Sequence, residues 1–234
     1  MIDKEKLEDA YKKRDCFFKA IENGDLDKVK SMLPYVKKVL KSGEMGLLKR
    51  VYKDSLRSLK NIMLSYNSLY FLFAQKGGMD SLTSHYLAEN YAIIIEGASK
   101  EENIWEIHDE MVYKYTDPKN RQGLSEKSLA QRVNKLLNVN FMYPITIDDL
   151  ANELNVSKEH MMRKYKEKYK KTILQDLQEI RIEEGKKFLK HTDLKVIDIA
   201  FSVGYNSSQY FSKVFKTFTG LSPNEFKKMQ NKSH

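Results

Sequence analysis

The chain has 234 residues, enough for two modest domains or one large one. Hydrophobic residues make up 41% of it and aromatic residues 11%, so it can build ordinary cores and extensive disorder is disfavoured. The formal net charge of +9 is compatible with a polyanionic partner, although charge alone does not identify one.

Several classes of protein are disfavoured by what the sequence lacks. A single cysteine, Cys16, allows neither an intrachain disulfide nor a cysteine-based zinc site, and the five histidines are too scattered to suggest a metal site. There is no nucleotide-binding glycine fingerprint and no serine-hydrolase elbow, so we expect no enzyme activity and no cofactor. Without a signal peptide or a long apolar run, a cytoplasmic location with no membrane association is expected.

The spacing of apolar residues predicts five helices in the first half of the chain. They are expected at residues 3–22, 25–40, 53–75, 82–98 and 102–115, with turns at 23–25, 42–46, 77–78 and 99–101. The run at 20–33 resembles one ankyrin repeat, but a lone copy cannot bury its faces. An ordinary helix–glycine–helix turn capped by Asp25 is therefore the favoured interpretation.

Aromatic residues in this half invite two interpretations. Residues at helical spacing either line an effector pocket or, as is commoner, form packed core or a dimer interface: Tyr66, Tyr70, Phe71, Phe73, Tyr86 and Tyr91. Trp105 and His108 lie close together on one predicted helix and suggest a site. A half-exposed helix face explains that pair equally well.

Residues 117–124 combine proline, glycine and charge without a periodic pattern, and we interpret them as a linker. This divides the chain into a helical dimerisation or sensing domain at 1–116 and a second domain at 125–234. A helix at 125–137, with Ser125 as its N-cap, opens the second domain.

Residues 196–227 have the pattern of a helix-turn-helix, with a helix, a tight turn at Gly204 and a second helix with one apolar face. A weaker copy lies at 147–169, and its turn residue is Asn155. Both turn residues are expected to take positive φ, and Ser157 and Ser207 are expected to cap the second helices. Two such units make duplex DNA the leading partner.

The inward faces of the second helices are predicted from the apolar pairs Met161/Tyr165 and Phe211/Phe215, each at i, i+4. The outward residues are candidates for contacting bases or, a turn further on, phosphates. These candidates are Lys158, Glu159, Met162, Arg163 and Lys166 on the first helix, and Ser208, Gln209, Ser212, Lys213 and Lys216 on the second.

Between the units, residues 171–190 predict one helix about 30 Å long. Successive major-groove faces on one side of B-DNA are about 34 Å apart. A connecting helix of this length is suited to holding two reading helices in adjacent grooves, so that one chain covers about two turns of DNA.

Residues from about 129 to 228 resemble the C-terminal DNA-binding domain of the AraC/XylS family of bacterial transcription regulators. The resemblance is strongest in AFSVGY from Ala200, YFSKVFK from Tyr210 and GLSPNEF from Gly220. It implies seven helices holding two helix-turn-helix units on a shared linking helix. It also implies base-reading roles for Lys158, Glu159, Met162 and Arg163 in the first unit, and for Ser208, Gln209 and Lys213 in the second.

The sequence departs from this family at three positions and along its N-terminal half. Gly185 stands in the linking helix where the family usually has alanine, and Glu159 and Met162 are unusual at reading positions. The N-terminal half has no pattern of the sugar-binding β-barrel found in well-known members. It is similar instead to a helical region that precedes this domain in some Gram-positive regulators, which implies no particular ligand.

The sequence therefore predicts an all-α protein, with a helical N-terminal domain and a seven-helix C-terminal domain in which a long helix joins two helix-turn-helix units. The predicted function is sequence-specific DNA binding, with promoter activation through RNA polymerase and a homodimer implied by the resemblance. The alternative is a helical protein–protein adaptor that does not read DNA. RNA binding is disfavoured because no exposed sheet offers stacking aromatics.

Overall fold

The structure, a computed structural model, describes residues 4–42, 51, 53–121 and 127–232. These ranges contain twelve α-helices, one short 3₁₀ helix and no β-strand, which confirms the predicted all-α class. The chain divides into two compact units, Met1–Gln122 and Gly123–His234.

In its described residues, the N-terminal unit contains five helices at the predicted places. They are α1 (Lys4–Asn23), α2 (Leu26–Ser42), α3 (Ser55–Lys76), α4 (Ser81–Gly97) and α5 (Glu101–Thr116). Short polar side chains begin several of them, because a side-chain oxygen can accept from an otherwise unpaired amide of the first turn. The Asp25 carboxylate accepts from the Lys28 amide at 2.9 Å, as predicted, and Asp54 and Asp80 cap α3 and α4.

Two of the six aromatic residues singled out in this unit belong to its core, and the other four are half-buried. Tyr70 and Tyr91 are buried, and Phe18 stacks on Phe73 with 4.8 Å between ring centroids. Trp105 and His108 are also buried, so the half-exposed face expected for them was wrong. The helices α1, α2 and α3 all pack on α5, which places this pair inside the unit.

The predicted linker is partly structured. Residues Pro118–Arg121 form the 3₁₀ helix, and the Arg121 guanidinium donates to the carbonyls of Glu22 at 2.6 Å and Gly77 at 2.7 Å. Arg121 therefore fastens the end of the N-terminal unit to two of its turns. Residues 122–124 of the predicted linker, the predicted cap Ser125 and residues 43–46 of the predicted turn lie outside the described residues.

The C-terminal unit contains seven helices in its described part, as predicted. They are α6 (Leu129–Asn140), α7 (Ile147–Glu153), α8 (Lys158–Tyr169), α9 (Ile173–His191), α10 (Val196–Ser202), α11 (Ser208–Thr219) and α12 (Pro223–Lys232). A capping box at Ser128 begins α6, three residues after the predicted start of that helix. The linking helix α9 has 19 residues and is roughly 28 Å long, as expected.

In the ranges that the structure covers, no helix combines the length and the apolar character needed to cross a bilayer.

Candidate nucleic-acid interface

Helices α7 and α8 form one helix-turn-helix, and α10 and α11 form the other. The turn residues have the predicted backbone conformation, with φ of 52° at Asn155 and 85° at Gly204. In each first helix a small residue, Ala151 or Ala200, is buried, which lets the second helix approach closely. The two helix-turn-helix motifs therefore have the same local structure despite their different turn residues.

Gly204 has a second role that the sequence pattern does not reveal. A Cβ atom at this position would lie 2.3 Å from the carbonyl oxygen of Phe141 and 2.9 Å from Nη2 of Arg181. Arg181 donates from Nε to that same carbonyl at 2.9 Å and from Nη2 to the carbonyl of Tyr143 at 3.1 Å. The turn of the second helix-turn-helix is thus packed against the end of α6 and against the linking helix α9.

Both second helices begin with the predicted serine caps. The Ser157 hydroxyl accepts from the His160 amide at 3.3 Å, and the Ser207 hydroxyl accepts from the Tyr210 amide at 3.3 Å. Capping stabilises the first turn of a recognition helix, the part that meets base edges in helix-turn-helix proteins.

The predicted inward residues are all completely buried. Met161, Tyr165, Phe211 and Phe215 each have no exposed surface, and the rings of Phe211 and Phe215 lie 5.6 Å apart. Since these residues fix the rotation of α8 and α11, the opposite faces are the ones presented to solvent.

A polar cluster holds α8 in place, and sequence reasoning missed it. The Tyr165 hydroxyl donates to the buried carboxylate of Asp176 on α9, and the Asn134 amide on α6 donates to the same carboxylate at 3.1 Å. The Lys171 ammonium lies 2.7 Å from the other oxygen of Asp176. Burial raises the pKa of Tyr165, so its hydroxyl stays a donor. The cluster therefore joins the first recognition helix, α8, to α6 and α9.

The outward face of α8 carries the five predicted residues, and all five are exposed: Lys158, Glu159, Met162, Arg163 and Lys166. Two of the cations have acidic neighbours. The Lys158 ammonium lies 2.6 Å from Asp148 of α7, and Arg163 lies 3.9 Å from Glu167 one turn further on. A phosphate or base must compete with these carboxylates for Lys158 and Arg163. The cations of the first helix-turn-helix are therefore less available to DNA than its sequence indicates.

The outward face of α11 is simpler. Gln209, Lys213 and Lys216 are exposed, whereas Ser208 and Ser212 are half-buried and bonded to each other, with the Ser212 hydroxyl donating to the Ser208 carbonyl at 2.7 Å. Within the described residues, the Lys213 ammonium has no hydrogen bond or ion pair. The helix sequence SQYFSKVFKTFT has two lysines and no acidic residue. Gln209, Lys213 and Lys216 are thus the strongest candidates for contacting DNA.

Tyr210 is a further candidate that the sequence did not suggest. Its side chain is 52% exposed beside Gln209, and its hydroxyl accepts from the Gln178 amide of α9 at 3.3 Å. The sequence pattern did not suggest a role for Tyr210, because it directly precedes the core residue Phe211 and an aromatic residue there is expected to belong to the core.

The departure at Gly185 has a structural reason. A Cβ atom there would lie 3.1 Å from two ring carbons of Phe211, tighter than ordinary contact. The glycine therefore lets α11 pack close to the linking helix, which offsets the roughly 1 kcal/mol of helix propensity that glycine costs.

Residues 150–229 match a family model described as a helix-turn-helix domain. An uncharacterised helix-turn-helix transcriptional regulator of Pseudoalteromonas carrageenovora is 37% identical over 89 residues, 38% of this chain and 52% of that protein. The regulator ArgR of Pseudomonas aeruginosa is 30% identical over 140 residues, 59% of this chain and 42% of the relative. The bifunctional transcriptional activator and DNA repair enzyme AdaA of Bacillus subtilis is 29% identical over 108 residues, 46% and 51% of the two chains.

The C-terminal unit is therefore a DNA-binding double helix-turn-helix domain. More narrowly, it is similar to DNA-binding domains of the AraC type, as the resemblance implied. The chain spans about half the length of the relatives it matches. Among the described residues, no group of three histidine, cysteine or acidic side chains is placed to hold a metal ion.

Proposed function

We propose that the whole chain is a sequence-specific transcription regulator that acts in the cytoplasm and binds a promoter through α8 and α11 in adjacent major grooves. The observation that carries this proposal is the outward face of α11, where Gln209 and Lys213 are exposed on a helix whose opposite face is buried. A lysine can bond guanine O6 and N7, and a glutamine can bond adenine N6 and N7.

The two recognition helices have different roles in this proposal. On α8 the cations have acidic neighbours, and Glu159 can accept only from a base amine such as that of cytosine. The α11 helix has no acidic residue of its own, and Lys213 has no ion pair within the described residues, whereas Glu225 of α12 interacts with Lys216. We therefore assign most of the sequence discrimination to the second helix-turn-helix and a larger share of the phosphate contacts to the first helix-turn-helix.

Activation of transcription through contact with RNA polymerase is proposed from the family resemblance, and so is pairing of two copies. The N-terminal unit supplies the dimerisation or sensing role in this account. No catalytic role is assigned to any part of the chain.

The test is competition binding to a selected duplex against random duplex, with Lys213→Ala and the control Lys228→Ala. Lys228 is an exposed lysine of α12, so both variants remove one charge from the same domain. Loss of a base contact costs about 1–3 kcal/mol, and we expect Lys213→Ala to lose that discrimination. Lys228→Ala should retain it.

The adaptor alternative predicts a different pattern. An adaptor would bind duplex DNA weakly and without preference, and both variants would behave alike at every salt concentration. A regulator loses affinity steeply as salt rises, because phosphate contacts release counterions. Equal discrimination by Lys213→Ala and the parent protein would refute the assigned reading role.

A further inference from the structure

A groove of about 710 Å³ lies between α2 and α5 in the N-terminal unit, and the DNA-binding account does not use it. Small-molecule sites commonly have volumes of about 300–1,000 Å³. Its lining residues are a set of four lysines with one carboxylate and a few apolar side chains: Lys30, Lys37, Lys38, Lys41, Asp109, Leu33, Pro34 and Tyr113.

The charge of this groove is strongly positive. Four lysines face one carboxylate. Within the residues that the structure describes, Lys37 alone among them forms an ion pair, with its ammonium 2.6 Å from Oδ2 of Asp109. That pair is half-buried, with 26% and 33% of the two side chains exposed, so it is shielded from solvent more than an ordinary surface pair. Among the lining residues, Lys30, Lys38 and Lys41 leave a net charge of +3 once Lys37 and Asp109 cancel, which favours an anion.

A buried polar chain lies directly behind this carboxylate. His108 is completely buried, and its Nδ1 atom is 3.6 Å from Oδ1 of Asp109, too far for a hydrogen bond. Neither atom has a hydrogen-bond partner among the residues that the structure describes. On its other side, Nε2 of His108 lies 2.9 Å from the hydroxyl of buried Tyr70.

The protonation of these groups follows from their surroundings. Burial lowers the pKa of His108, so the ring is neutral at pH 7, and burial raises the pKa of Tyr70, so its hydroxyl donates to Nε2. The single ring proton then lies on Nδ1 and faces Asp109. Burial by itself would raise the pKa of Asp109, but the neighbouring imidazole and the Lys37 ammonium lower it, so the carboxylate is charged.

We propose that the groove between α2 and α5 binds a small soluble anion, a phosphate or carboxylate that carries an apolar group. The anionic group meets the ammonium groups of Lys30 and Lys38, and the apolar group rests on Leu33, Pro34 and Tyr113. As the ligand draws Lys37 away from Oδ2 of Asp109, the carboxylate is free to turn until one of its oxygens comes within hydrogen-bond distance of Nδ1 of His108. Binding at the surface is thereby linked to the core of the unit.

A small molecule fits this groove better than duplex DNA does. DNA binding uses extended surfaces that follow the phosphate backbone, whereas this site is a single open groove in which apolar side chains lie beside the lysines. Asp109 within the site also disfavours a run of phosphates. The proposal goes beyond the DNA-binding function, and failure of either leaves the other standing, because the two sites lie in different units.

The structure supplies its own reporter. Trp105 is the single tryptophan of the chain, and the Lys41 ammonium lies 4.9 Å from the centre of its ring. Its ring is also 6.2 Å from that of His108. An anion that engages Lys41 or shifts His108 changes the surroundings of the indole, so tryptophan fluorescence reports on the groove without a label.

The experiment titrates the full chain with phenyl phosphate and with phenylacetate while tryptophan fluorescence is followed. Inorganic phosphate and phenol serve as the separate halves of the first probe. We expect a saturable change with at least one of the two complete probes, and binding at least about tenfold weaker with either half. No saturable change with either complete probe overturns the proposal.

The groove variant is Lys30→Glu with Lys38→Glu, both exposed positions on α2. Its control is Lys12→Glu with Lys28→Glu, which makes the same change in net charge outside the groove. The groove variant should weaken probe binding by about tenfold or more, and the control by less than about twofold. Equal weakening by both variants, or random duplex DNA competing with the probe for the groove, overturns the proposal. Circular dichroism verifies that both variants remain helical.

Discussion

Replacing Gly204 by alanine tests how the second helix-turn-helix is held. The residue has φ of 85°, and an added Cβ would lie 2.3 Å from the Phe141 carbonyl oxygen. That oxygen belongs to the backbone at the end of α6 and accepts from Nε of Arg181 at 2.9 Å. Since a backbone atom cannot swing away as a side chain does, the alanine must displace the turn and break this contact.

The expected cost has two parts. Positive φ costs an alanine roughly 1–2 kcal/mol. Loss of a hydrogen bond from a charged donor costs about 1.5–3 kcal/mol more. We therefore expect Gly204→Ala to lower the free energy of unfolding of the C-terminal unit by about 2.5–5 kcal/mol.

Gly220 is a matched control for this substitution. It has φ of 77° at the end of α11, but a Cβ there would meet nothing within 4 Å. Gly220→Ala should therefore cost only the roughly 1–2 kcal/mol of positive φ. Urea unfolding of the full chain, followed by circular dichroism, measures both. If the two variants are destabilised equally, the contact with Phe141 has no energetic role and the reasoning is refuted.

Three further predictions concern buried contacts. Gly185→Ala should gain about 1 kcal/mol of helix propensity but lose about 1–3 kcal/mol to crowding against Phe211, so its free energy of unfolding should not rise. Tyr165→Phe removes a donor to the buried Asp176 carboxylate and should cost about 1–3 kcal/mol while weakening DNA binding. Burial lowers the pKa of His108, so below about pH 6.5 the unfolded chain binds more protons than the folded chain. The free energy of unfolding of the N-terminal unit should therefore fall by about 1 kcal/mol between pH 7.5 and 5.5. Urea unfolding followed by tryptophan fluorescence measures this change.

Matched variants decide these three. A more stable Gly185→Ala protein would show that the ring yields without cost. Tyr143→Phe, at an exposed tyrosine, is the control for Tyr165→Phe and should leave both stability and DNA affinity unchanged.

His108→Gln should remove the pH dependence of the free energy of unfolding. His85→Gln, at an exposed histidine, should keep it. A pH dependence that survives His108→Gln would contradict its assignment to that ring.

Features set by neighbours in the chain were predictable from the sequence. The positive φ of Asn155 and Gly204 follows from residue type at a tight turn, and the Ser157 and Ser207 caps follow from short side chains before an apolar-periodic run. The buried pairs of the recognition helices follow from helical spacing. Each of these depends on interactions within a few residues, so one short stretch of sequence contains all the information.

Features made by residues far apart in the chain were not predictable. The Asp176 carboxylate is 42 residues from Asn134, and Arg181 is 40 residues from Phe141. From the sequence, Gly185 has only an unfavourable helix propensity, whereas in the fold it makes room for the ring of Phe211, 26 residues further along the chain. The groove of the N-terminal unit likewise joins α2 to α5, and no spacing along either helix indicates that they meet.

The central claim is that α8 and α11 together read a specific DNA sequence. The most direct measurement is genome-wide recovery of DNA fragments bound by the purified protein, with the double variant Arg163→Ala, Lys213→Ala in parallel. The account predicts a motif of two half-sites spaced about one helical turn, which the variant loses. Uniform recovery of fragments that the variant leaves unchanged would contradict it and favour the adaptor.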